Sequence, residues 1–192
     1  SVANSGTFTV GTTGQYIQEL TAGRSVPPAT SNSGTFTNAG LVSIGEGTSF
    51  GSFSNRTPPV AQYLQQASGT TQILGTFQFG GARVENAGTM TVGTTGTYLQ
   101  AFNKFVPVVS TTVNTGTFTN AGSTLINAGT FTNQGSVVNS GIFQVAVYGA
   151  GTLTNQGTMV NAGTVEVGTL GQVAGSGSYV QTAAAAQTIV NG

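Results

Sequence analysis

Four glutamates, Glu19, Glu46, Glu85 and Glu166, are the only acids in the chain, and Arg24, Arg56, Arg83 and Lys104 are its only bases. Aspartate, histidine, cysteine and tryptophan are absent. Glycoside hydrolysis needs two carboxylates at a defined separation across the scissile bond, and four scattered glutamates offer no such pair. Calcium-assisted cleavage of a polysaccharide would need several acidic oxygens. General acid–base work falls most often to histidine, and thiolate metal sites or cysteine nucleophiles need the missing cysteine. Arg83 and Glu85 stand two positions apart, on one face of a strand, and read as a surface ion pair worth about 0–1 kcal/mol. No catalytic residue, metal ligand or cofactor-binding residue is assigned.

Two polar patterns remain as candidates for binding. Thr-x-Thr occurs at Thr7, Thr35, Thr89, Thr117, Thr130 and Thr152. Ranked threonines on a flat face could order water and bind ice. The interval is wide from Thr35 to Thr89 and narrow from Thr117 to Thr130, so no single repeat length fits. They are expected to be ordinary outward strand residues. Tyr-Φ-Gln, with Φ apolar, occurs at Tyr16, Tyr63, Tyr98 and Tyr179. It could form an aromatic ladder for glycans, but each tyrosine is expected at an edge with its hydroxyl wet.

The composition narrows the classes further. Only 4% of residues are charged and the formal net charge is zero, against about 25% charged in ordinary soluble proteins. Four dispersed bases cannot neutralise a run of phosphates, so no nucleic-acid partner is expected. No apolar run reaches the length of a membrane-spanning helix. A neutral surface has little self-repulsion and favours association. Disorder is excluded because 38% of residues are apolar and recur in register.

What must position these residues is a repeat. Asn-x-Gly occurs at Asn4, Asn32, Asn38, Asn86, Asn114, Asn120, Asn127, Asn133, Asn139, Asn155 and Asn161, eleven of the fourteen asparagines. Four positions after each Asn lies Phe8, Phe36, Val42, Met90, Phe118, Thr124, Phe131, Val137, Phe143, Met159 or Val165, all apolar but Thr124. There the step to the next Asn slips from six to seven. A longer repeat overlies the short one: the segment from Gly6 to Tyr16 recurs from Gly88 to Tyr98, and a weaker copy starts at Gly163. We read one domain over 1–192, duplicated at about 6–87 and 88–162, with a partial third copy at 163–192.

Alternation of Thr and Phe specifies strands, and Gly and Asn at every sixth position cut them too short for hairpins. The expected fold is all-β, a single-stranded parallel β-helix (β-solenoid) in which each strand pairs with its counterpart one turn up. Coils of about 18–24 residues would give roughly 8–10 levels and a rod on the order of 40–50 Å long. Phe8, Phe36, Met90, Phe118, Phe131 and Phe143 are expected to form an interior column. Asn127, Asn133 and Asn139 are expected to form a corner amide ladder, with glycine supplying positive φ or a tight bend. Segments 20–31, 54–62 and 101–112 hold all five prolines and are expected as lateral loop insertions, decorative or covering a hydrophobic flank.

The Asn-x-Gly-Thr-Φ-Thr units, with Tyr179-Val-Gln-Thr and Thr188-Ile-Val-Asn-Gly, resemble Thr/Gly/Asn-rich β-solenoid regions of bacterial surface proteins. These include autotransporter passengers and filamentous-haemagglutinin-like adhesins. The resemblance implies secretion, an extracellular or cell-surface location, and adhesion to host or glycan surfaces or matrix building. Neither terminus reads as capped. The expectation is a structural subunit stacking head to tail, with Val2, Asn4, Thr7 and Phe8 meeting Thr188, Ile189, Val190 and Asn191 of another copy. An adhesin segment that binds surfaces is the alternative, and ice binding a lesser one.

Overall fold

The computed structural model describes residues 1–18, 29–44, 60–101, 109–145, 150–167, 177–181 and 187–190, the last two segments through backbone pairing. These residues form twenty-three strands and no helix. The first sheet comprises β1 (Val2–Asn4), β4 (Ala29–Asn32), β7 (Ala61–Gln65), β10 (Ala82–Asn86), β13 (Thr111–Asn114), β16 (Gly129–Asn133), β19 (Gly151–Asn155) and β22 (Gly177–Gln181). The second comprises β2 (Thr7–Val10), β5 (Thr35–Asn38), β8 (Thr70–Ile73), β11 (Thr89–Val92), β14 (Thr117–Asn120), β17 (Ser136–Asn139), β20 (Thr158–Asn161) and β23 (Gln187–Val190). The third comprises β3 (Gln15–Gln18), β6 (Leu41–Ile44), β9 (Thr76–Phe79), β12 (Thr97–Gln100), β15 (Ser123–Ile126), β18 (Ile142–Val145) and β21 (Thr164–Val167). Every pairing is parallel and joins strands one coil apart, as in β2 on β5 and β14 on β17. The chain is a three-sided parallel β-solenoid.

The spacing of six produces this shape directly. A short strand and a two-residue corner make one side, and three sides make a coil. The tightest coil on the first sheet, from Thr112 to its partner Phe131, is one residue longer than three sixes. The extra residue is Asn127. Ile126 ends β15 in the buried corner position, and Asn127 falls one residue beyond it. The expectation that Asn127 joins the corner ladder is thus corrected: its side chain makes no rung, and its buried Oδ1 has no hydrogen-bond partner.

Coils are less uniform in length than expected. Along the first sheet, successive coils carry the chain from Val2 to Thr30, Tyr63, Val84, Thr112, Phe131, Leu153 and Tyr179. The longest of these steps is Thr30 to Tyr63 and the shortest Thr112 to Phe131. The first three, from Val2 to Val84, span the long repeat, so one repeat unit is three coils. The weaker motif at Gly163 opens β21, on the third sheet, whereas those at Gly6 and Gly88 open strands of the second. The eight strands of the first and second sheets give eight levels, as expected, and at about 4.8 Å spacing put the outermost strands about 34 Å apart, centre to centre. The residues proposed as lateral insertions, with all five prolines, lie largely outside the described residues.

Most four-residue strands turn two side chains inward and two outward, and the five-residue β7, β10, β16 and β19 bury three positions. The second sheet stacks Phe8, Phe36, Thr71, Met90, Phe118, Val137 and Met159. Phe131 and Phe143 belong elsewhere, to the first and third sheets. The single expected phenylalanine column is therefore corrected to three columns facing one another. They interlock edge to face: Tyr98 on Phe118 at 5.3 Å, Phe118 on Phe131 at 5.3 Å and Phe131 on Phe143 at 5.1 Å. Edge-to-face pairs gain about 0.5–1.5 kcal/mol beyond area burial. Thr124, the exception in the repeat, is also fully buried and points inward.

Candidate functional site

The chemistry concentrated in this molecule is that by which one coil recognises the next. Ten of the eleven Asn-x-Gly asparagines end a strand. Most of their amides cross to the following coil, along two corners. At the corner from first to second sheet, Asn4 Nδ2 donates to Asn32 Oδ1 (2.8 Å), Asn86 to Asn114 (2.7 Å), Asn114 to Asn133 (2.8 Å) and Asn133 to Asn155 (2.8 Å). At the next corner Asn120 donates to Asn139 (2.7 Å) and Asn139 to Asn161 (2.6 Å). These amides also cap carbonyls at the start of the next coil's strand, as Asn114 does at Ser136 O (3.0 Å) and Asn139 at Thr164 O (3.0 Å). Asn38 lacks an Asn neighbour above, yet it still holds Thr76 O at 2.8 Å.

The longer ladders begin where another residue type intervenes. Gln65 precedes Asn86 in register, and its Nε2 turns to Gly69 O and Thr89 O. Val92 precedes Asn120. Buried Asn86 Oδ1 and Asn120 Oδ1 are consequently left without partners. Every rung donates toward the coil that follows, so a rung is lost wherever the preceding coil presents Gln65 or Val92 in place of Asn.

Glycine is required at these corners by close approach. A Cβ on Gly116 would lie 2.1 Å from Gly88 O, on Gly135 2.2 Å from Gly116 O, and on Gly34 2.1 Å from Gly6 O. Among the described glycines only Gly81 and Gly129 have positive φ. The expected reason for glycine is half right: the tight bend holds, while left-handed backbone is not what the stacked corners use.

The tyrosines correct a further expectation. Tyr63 and Tyr98 are fully buried, and their hydroxyls bond Thr71 and Thr112 at 2.6 and 2.8 Å. Those threonines donate in turn to Gln65 and Gln100. Tyr16, Thr30 and Gln18 repeat the triad on the first coil. In Tyr-Φ-Gln the polar residues therefore point inward and the apolar one outward, as Ile17 shows at 51% exposure. The side chain of Tyr179 lies outside the described residues. Thr30, Thr71 and Thr112 went unrecognised in the sequence, because an isolated Thr on the following strand carries no motif of its own.

Burial raises the pKa of both Tyr63 and Tyr98 well above the usual 10, against the smaller lowering effect of their hydrogen bonds to Thr71 and Thr112. An unfolded tyrosine ionises near pH 10 while the native one keeps its proton. Above about pH 10 the native state thus holds more protons, and stability must fall as pH rises. Thermal midpoints should be flat from pH 8 to 9.5 and drop toward pH 11.5. The slope should be shallower in Tyr98→Phe.

The acids and bases among the described residues do little. Arg83 and Glu85 form the expected ion pair, at 2.5 Å with both side chains nearly half exposed, which limits it to about 0–1 kcal/mol. Glu85 and Glu166 stand on different sheets, the first and the third. Glu19, Glu46, Arg24, Arg56 and Lys104 lie outside the described residues. Among the described residues no group of acids could hold a metal ion, and no helix is long and apolar enough to cross a membrane.

The residues predicted for end-to-end contact fall at opposite ends of the stack. Val2, Asn4, Thr7 and Phe8 lie on β1 and β2, the first strands of their sheets, and Thr188, Ile189 and Val190 lie on β23, the last of the second sheet. Asn191 is outside the described residues. On the first coil Val2 is 38% exposed, and Phe8 is only partly buried while stacking on Phe36 at 5.0 Å. Among the described residues nothing comes within 4 Å of a Cβ placed on Gly6. Fold and site together define the class, a parallel β-solenoid with amide-laddered corners. No protein-family model, curated protein or solved structure matches the chain.

Proposed function

We propose that this chain is a structural subunit of an extracellular filament or surface layer, assembled by stacking coil faces head to tail. The observation that supports it is chemical equivalence. Asn4, Gly6 and Phe8 of the first coil occupy register positions that Asn32, Gly34 and Phe36 fill one coil later, where a coil is received. Backbone N–H and C=O groups at such an edge template another parallel strand, and a heterologous contact that does not close makes a filament. Burying the open face of Phe8 adds up to about 1.5–3 kcal/mol per contact. Secretion is part of the proposal through the resemblance to bacterial surface solenoids.

Gly6→Ala tests it. Within one chain the new methyl meets none of the described residues, so the melting temperature should be unchanged. For a coil docking in register it would reach the corner carbonyl at the distance a Cβ on Gly34 reaches Gly6 O, 2.1 Å. Electron microscopy should show rods for the natural sequence, lengthening with concentration, and none for Gly6→Ala. Monodisperse particles at all concentrations and salts, or equal rods from both proteins, would end the proposal. With no histidine in the chain, rod formation should be level between pH 5 and 8.

A further inference from the structure

The uneven Thr-x-Thr separations in the sequence argued against a ranked threonine face, and the pairing register removes that argument. Thr7 pairs with Thr35, Thr35 with Thr70, Thr70 with Thr89 and Thr89 with Thr117. Ser136 and Thr158 continue the line. Two positions along each strand, Thr9, Thr37, Gln72, Thr91 and Thr119 form a second line, which passes into Val138 and Val160. The irregular spacings arise because residues between the third and first sheets lengthen some coils without moving the second sheet out of register. Both lines alternate with inward side chains and point outward.

We infer that the outer face of the second sheet binds a neutral, periodic water lattice, the surface of ice. Its outward positions repeat at about 4.8 Å from coil to coil and about 6.6 Å along each strand, a rectangular net on the scale of the oxygen repeats of ice. Strands β2, β5, β11 and β14 carry a hydroxyl at both positions, Gln72 interrupts the second line on β8, and valine takes that position on β17 and β20. Each threonine offers a hydroxyl that can donate and accept, beside a methyl that restricts the neighbouring water. Holding one water costs up to about 2 kcal/mol of entropy, and a rigid net spreads that ordering over many sites at once. Charge would disrupt it by organising its own hydration. None of the described outward residues of this face is charged. The other two faces differ: the first sheet carries Arg83 and Glu85, and the third carries Ile17, Ile142 and Glu166. The face is lateral, so end-to-end stacking leaves it open, and the inference does not depend on the filament.

The test is partition into slowly growing ice, with recrystallisation followed in parallel, using the full chain and Gly6→Ala so that rods play no part. The protein should enter the ice and slow recrystallisation. Thr91→Lys should be excluded into the liquid. Thr132→Lys, an equally half-buried outward position on the first sheet, should behave like the parent. If Thr91→Lys melts below Thr132→Lys, Thr37→Lys replaces it in the comparison. Exclusion of the parent from ice overturns the inference, as does equal loss from the two faces. Binding to an insoluble neutral polysaccharide, lost in Thr91→Lys and without ice partition, would overturn it too and assign the face to glycan instead.

Discussion

Phe118→Ala is expected to lower stability by about 3–5 kcal/mol, the range for truncating a fully buried aromatic. Phe118 projects from the second sheet and meets side chains of the other two, Tyr98 and Phe143 from the third and Phe131 from the first. Its loss leaves a void bounded by strands that cannot collapse, because their register is pinned above and below by the corner amides. In a stack held by nearest-neighbour contacts such damage is local. Urea unfolding followed by circular dichroism should therefore show the midpoint falling and the single transition broadening or splitting. Hydrogen exchange should quicken on β14 and its neighbours in the stack before the distant coils. An unchanged midpoint would mean the interior columns contribute far less than their burial suggests.

Asn114→Ala is expected to cost about 2–4 kcal/mol, because each buried polar group orphaned by its removal costs about 1–3 kcal/mol. Asn114 accepts from Asn86 and donates to Asn133 Oδ1, Ser136 O and Gly116 O. The corner around it is closely bounded by backbone, as the contacts a Cβ would make at Gly116 and Gly135 show, which leaves water little room to replace the amide. Asn38→Ala is the internal comparison. Among the described residues Asn38 bonds only Thr76 O and Gly40 N, with no amide rung, so its removal should cost less than half as much. Equal losses at the two positions, measured by urea unfolding, would show that the carbonyl cap, rather than the ladder, stabilises the corners.

Much of this architecture was legible in the amino-acid sequence alone. Asn at a strand end, Gly two positions on and an apolar residue two further on define a side of the coil, and parallel stacking follows once six-residue sides are too short for hairpins. The failures have specific causes. Asn127 carries the right motif, but the seven-residue step from Asn120 hands the corner position to Ile126. The tyrosines misled because the pattern rule assigns polar residues outward, whereas a Thr on a neighbouring strand and a Gln two positions on satisfy the hydroxyl inside. The threonine rows were hidden because separations counted along the chain include excursions that the sheet register ignores. Such excursions are invisible to periodicity and emerge only when strand partners are known.

Those excursions share one location. Links from first to second sheet and from second to third are short, as at 33–34 and 39–40, whereas links from third to first range from the pair 80–81 to the long stretch 45–60. One seam of the prism therefore absorbs most of the variation in length, while the other two change little, with links such as 11–14, 66–69 and 93–96 as their longer cases. A designer or a lineage could splice peptide cargo into that seam, or delete it, while the pitch of the column and the lattice on its threonine side stay fixed.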